Sequence, residues 1–85
     1  IDKAFECTVF PNPGSEFVAI QINGAASKSY TVELFDIAGR LVESTTLKQG
    51  STITYLDIKT LYNGQYFMKI SSLNESIVKP IIVSH

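Results

Sequence analysis

The sequence has no tryptophan, one cysteine and one histidine, and that histidine, His85, is its last residue. Triad-type nucleophilic catalysis needs a base held in fixed geometry. An imidazole at the end of the chain reads instead as a solvated tail. Cys7 has no internal partner, so the chain must be stable without a disulfide, and this cysteine reads as a small strand residue. One cysteine and one histidine are too few for a zinc site. No D-x-[DN]-x-[DN]-G loop offers clustered oxygens for calcium, and no glycine-rich phosphate loop precedes a helical pattern. No metal or cofactor is expected.

Charge is equally sparse. Seven basic and eight acidic residues give a net charge of −1 with no basic stripe, which argues against nucleic acid or an anionic membrane surface as partner. The longest apolar run, Pro80–Val83, is far too short to span a bilayer, so direct membrane insertion is not expected. No basic start followed by an apolar stretch suggests a signal peptide, so an export signal lies outside these residues or is the module itself. Paired carboxylates of the glycosidase kind are also lacking. Asp36 and Asp57 fall at strand ends, where turn chemistry explains them, while Glu16, Glu33 and Glu43 lie on outward faces. The sequence therefore predicts no enzymatic activity. Asn74-Glu75-Ser76 matches the N-glycosylation pattern, which matters only in a host that modifies it.

What the chain does have is β-forming residues. It is 45% hydrophobic and 18% charged, with Val, Ile, Thr, Tyr and Phe recurring through all 85 positions. Short alternating runs separated by turn residues predict strands at Glu6–Phe10, Phe17–Ile22, Tyr30–Asp36, Arg40–Leu47, Thr52–Asp57, Gln65–Ser71 and Ser76–Val83. Pro11-Asn12-Pro13-Gly14 and Asn23-Gly24 break the first two runs. Asp36-Ile37-Ala38-Gly39 suits a type I hairpin turn, with Asp36 bonding forward to backbone amides and Gly39 free to take positive φ. Within the runs, Val18, Ile20 and Ile22 share a face, as do Tyr30, Val32 and Leu34; Ile53 and Tyr55; Tyr66, Met68 and Ile70; and Ile77, Lys79, Ile81 and Val83. Leu61 is placed at the core edge, in the link before Asn63-Gly64. Pro80 inside the last run marks an edge strand. The expectation is one domain over residues 1–85, core 9–83, folded as an all-β antiparallel sandwich of about seven strands, immunoglobulin-like in topology.

Four motifs stand in order along this pattern: Phe10-Pro11-Asn12-Pro13, Leu34-Phe35-Asp36-Ile37-Ala38-Gly39-Arg40, Leu61-Tyr62-Asn63-Gly64-Gln65-Tyr66, and a final strand bearing Lys79. Together, over Val9 to Val83, they resemble the type A C-terminal sorting domain of the bacterial type IX (Por) secretion system. The resemblance implies a seven-stranded sandwich at the end of a larger exported protein. It implies passage through the periplasm to an outer-membrane translocon with sortase-like components. There the domain is recognised and typically removed, leaving cargo secreted or held at the cell surface. The family's C-terminal strands matter for recognition, which carries that role onto Gly64, Tyr66, Lys79, Ile81 and Val83. Pro11, Asn12, Pro13, Asp36 and Gly39 are the structural motif. In many members the last strand is richer in lysine, whereas here Pro80 interrupts it and Ser84-His85 ends it. An accessory adhesion or carbohydrate-binding sandwich is the alternative, with Phe17, Phe35, Tyr62 and Phe67 as outward rings. An exposed edge strand also leaves a strand-paired dimer open in isolation.

Overall fold

A computed structural model describes residues 7–22, 26–73 and 75–85. Glu6, the Asn23-Gly24 break and Asn74 of the glycosylation tripeptide lie outside the described residues. Seven strands follow one another: β1 (Cys7–Phe10), β2 (Phe17–Ile22), β3 (Tyr30–Phe35), β4 (Leu41–Leu47), β5 (Ile53–Asp57), β6 (Gly64–Ser71) and β7 (Ser76–Val83). Each lies within about a residue of its expected bounds. They form a three-stranded sheet, β1-β2-β5, and a four-stranded sheet, β4-β3-β6-β7, with every strand pairing antiparallel. The chain changes sheet between β2 and β3, β4 and β5, and β5 and β6, as in immunoglobulin-like sandwiches.

Period-two alternation fills the space between the sheets. Val18, Ile20 and Ile22 from β2 meet Val32 and Leu34 from β3, Met68 and Ile70 from β6, and Ile81 and Val83 from β7, all buried. Each such side chain stabilises the fold by about 1.5–3 kcal/mol relative to exposure. Leu56 is the inward residue of β5, and Ile53 and Tyr55 share its outer face. Ile58, in the link after β5, is fully buried and extends the sheet, because its N–H donates to the Glu16 carbonyl at 3.0 Å. Leu61 packs against the core from the same link, as its position predicts.

Turn chemistry sets the β3–β4 hairpin. The Asp36 carbonyl accepts the Gly39 N–H at 2.9 Å, and its side-chain Oδ1 accepts the Ala38 and Arg40 N–H groups at 3.0 and 2.9 Å. Gly39 sits at φ +86°, a conformation that side-chain-bearing residues rarely adopt. On the far side of the sandwich, the Thr54 hydroxyl donates to the Thr46 carbonyl at 3.3 Å and ties β5 to β4 across the sheets. The other two edges, β1 and β7, face each other across a groove.

Candidate recognition surface: the last strand and its clasp

β7 pairs only with β6 among named strands, from Gly64 opposite Val83 to Ser71 opposite Ser76. Antiparallel pairing alternates, so every second residue of an edge strand points its backbone groups away from its neighbour. In β7 these are the even-numbered residues. The Ile82 N–H donates to Asn12 Oδ1 at 2.9 Å, and the Ile82 carbonyl accepts the Gly14 N–H at 2.9 Å. Pro80 occupies an equivalent position, where its missing N–H costs the β6–β7 ladder nothing. Its outward carbonyl faces Asn12 Nδ2 at 3.5 Å. The Ser84 N–H then donates to the Gly14 carbonyl at 2.8 Å, in a short parallel bridge between Gly14 and Val83.

The Pro11–Gly14 segment thus does more than end β1. It lies along the C-terminal half of β7 and satisfies the edge from Pro80 to Ser84. Gly14 is buried there, and the position suits glycine because a Cβ would meet Val18 Cγ1 at 2.8 Å and Ile58 Cδ1 at 3.0 Å. Ser76 and Val78 point the same way as Pro80, and among the described residues no strand lines their outer edge. Beside them a groove of about 310 Å³ runs between the sheets, lined by Cys7, Thr8, Val9, Asn12, Lys79 and Pro80. Burial pushes the Cys7 thiol above its ordinary 9.0, with the Lys79 ammonium partly opposing, so the thiol is protonated at neutral pH.

Of the residues the resemblance singles out, Tyr66, Ile81 and Val83 are buried, Lys79 is half-buried at the groove and Gly64 is exposed at the start of β6. Gly64 and Val83 are direct partners, as are Tyr66 and Ile81. The three buried side chains hold β7 against β6, and what a partner can touch is the outward set. That set includes Gln65, Phe67 and Lys69 on β6, directly opposite Ile82, Pro80 and Val78. Phe67 also lies opposite Phe35, which lies opposite Leu41, so an apolar row crosses the outer face of the sheet.

Two anchors at this end escaped the sequence reading. The Tyr66 hydroxyl donates to the Tyr62 carbonyl at 2.7 Å, the tyrosine corner of immunoglobulin-like folds; the signal is the tyrosine just inside β6, four residues after Tyr62. His85 is exposed, as expected of a tail, but it is anchored rather than loose. Its N–H donates to Asn63 Oδ1 at 2.9 Å, and its ring Nε2 lies 2.7 Å from the Leu61 carbonyl. Only Asn63, in a turn-forming Asn-Gly pair, hinted at a partner for that end.

Among the described residues, no group of three or more metal-ligating side chains occurs and no helix is long and apolar enough to cross a membrane. No curated protein matches the sequence. The family model described as "Secretion system C-terminal sorting domain" matches residues 8–84, from β1 through the residue that follows β7. The Asn12 clasp, the Asp36–Gly39 turn, the tyrosine corner and the clasped last strand all fall within that match. The chain belongs to the type IX C-terminal sorting-domain family, whose members are the sorting signals of secreted or cell-surface cargo proteins.

Proposed function

We propose that this domain acts purely by being recognised, without chemistry of its own, and that the translocon reads the outward side of β6 and β7 together with the open edge at Ser76–Val78. In this reading the folded domain carries its cargo through the periplasm, engages the outer-membrane translocon and is removed by sortase-like components afterwards. One observation carries the choice of surface. The β7 edge is closed by Asn12 and Gly14 from Pro80 onward, while the same strand has no neighbouring strand at Ser76 and Val78 among the described residues. Unpaired backbone groups on an edge suit an extended partner segment that adds as a strand. Lys79, at the groove beside that opening, supplies a charge for orientation.

A transplant tests the reading. Residues 1–85 are fused behind a signal peptide and a fluorescent reporter in a bacterium with a working type IX system. Reporter should appear in the medium or on the surface, and the signal should vanish in a translocon-deficient strain. Reporter that stays periplasmic with the domain folded overturns the sorting reading for this chain. Val78→Pro then tests the surface. Proline at 78 deletes only an outward N–H, as Pro80 already does two residues later, so the fold should persist while export falls. Lys79→Glu should lower export in the same background. If both variants export like the parent, this surface is not what the translocon reads.

A further inference from the structure

The opposite face of the sandwich carries a feature that sorting through β7 does not use. On the outer side of β1-β2-β5, Ala19 lies directly between Phe10 and Tyr55, and Phe17 lies opposite Asp57. Ala19 is fully covered although it faces away from the core, whereas Phe10, Phe17 and Tyr55 are 40%, 45% and 57% exposed. The small residue makes a floor and the rings make walls. Phe17 and Tyr55 meet edge to face, with centroids 5.7 Å apart and planes at 81°. An open recess of about 400 Å³ beside them is lined by Glu16, Phe17, Tyr55, Asp57 and Lys59. Asp57 is held in place because its Oδ1 accepts the Lys59 N–H at 2.9 Å.

We infer that this corner is a binding site for a cationic side chain, an arginine or lysine presented by an extended segment of a protein partner. Rings at right angles do not form the flat strip on which a sugar chain stacks. In this edge-to-face contact the edge-on ring keeps a π face that its neighbour does not cover, and a cation over such a face is attracted. Two carboxylates, Glu16 and Asp57, face one ammonium, Lys59, so the rim carries a net negative charge. Lys59 Nζ stands 4.0 Å from Asp57 Oδ2, and both side chains are well exposed, a pairing too weak to resist displacement by an incoming guanidinium.

The test uses the full 85-residue chain and an acetylated tri-arginine peptide. Its control is the tri-citrulline peptide, which keeps arginine's shape without the charge. In two-dimensional amide spectra, tri-arginine should shift the resonances of Phe17, Tyr55 and Asp57 saturably and tri-citrulline should not. Tyr55→Leu should weaken the affinity roughly 2- to 5-fold, the scale of an exposed cation–π contact. Asp57→Asn keeps an acceptor for the Lys59 N–H and removes the charge, so it should also weaken binding with the fold intact. Equal responses to the two peptides overturn the site, as do shifts confined to other strands or an affinity unchanged in both variants. Saturable shifts with a neutral oligosaccharide but not with tri-arginine would replace the cation by a sugar and equally end the inference.

Discussion

Asn12 Oδ1 accepts the Ile82 N–H at 2.9 Å, joining residues 70 positions apart. Through this bond the Pro-Asn-Pro segment closes the outer edge of the last strand. Asn12→Ala should destabilise the domain by about 1 kcal/mol, the usual scale of one net hydrogen bond. Asn12→Asp keeps the acceptor and should lose less. Amide exchange gives the sharper reading: protection of the Ile82 N–H should fall in Asn12→Ala while that of core amides in β3 changes only with global stability. Unchanged protection at Ile82 would mean that Asn12 does not hold the edge.

The bond from the Tyr66 hydroxyl to the Tyr62 carbonyl pins the link before β6 to the strand itself. Tyr66→Phe removes it without altering packing, so urea unfolding should show a loss of about 1 kcal/mol. Tyr62→Phe is the control, because that bond uses the Tyr62 backbone and the side chain is 88% exposed. Equal losses in the two variants would defeat the corner as an anchor.

Gly14 allows the clasp to approach the core. Gly14→Ala puts a methyl group against Val18 Cγ1 and Ile58 Cδ1, and overpacking of this kind costs about 1–3 kcal/mol. Val18→Ala removes the nearest atom at the cost of a cavity. The double variant should therefore be more stable than the sum of the two losses predicts. Strict additivity in urea unfolding would show that the clash is relieved by backbone movement instead.

Alternation was enough to find all seven strands, because β2, β3, β6 and β7 bury residues at every second position and the other three are bounded by turn residues. Pro80 correctly marked β7 as an edge, since proline's missing donor is harmless only on the unpaired side. The exceptions have local causes. Ala19 is buried on an outward face because larger rings stand on either side of it, which requires knowing the register of three strands. Ile58 lies in a link whose one-residue extension of pairing leaves no periodic signal. The clasp of Asn12 on Ile82 was least legible. It joins the two ends of the sequence, and nothing local to Pro11–Pro13 says which strand an asparagine side chain will reach.

Three shifted groups set how stability should vary with pH: Tyr30 and the Cys7 thiol that burial raises on the alkaline side, with Asp36 on the acid side. Burial, reinforced by the hydroxyl's 2.7 Å bond to Glu75 Oε1 and by that carboxylate's charge, pushes Tyr30 up from its ordinary 10.0 to about 12. A folded-state value above the unfolded one means that the folded chain keeps its proton longer. This contribution is therefore complete below pH 10.0 and is lost as pH rises toward about 12. Asp36 runs the other way. The Arg40 N–H above all, helped by the Ala38 N–H and the Arg40 guanidinium, holds its carboxyl below the ordinary 3.8 against the opposing desolvation, so its contribution is present above that value and lost as pH falls through the folded one. Urea midpoints measured across pH should show a plateau with an alkaline and an acid limb. Tyr30→Phe should flatten the alkaline limb, and Asp36→Asn should flatten the acid limb while retaining an acceptor for the Ala38 and Arg40 amides. An alkaline limb as steep in Tyr30→Phe as in the parent would assign that titration to another group and remove the Tyr30–Glu75 bond as its cause.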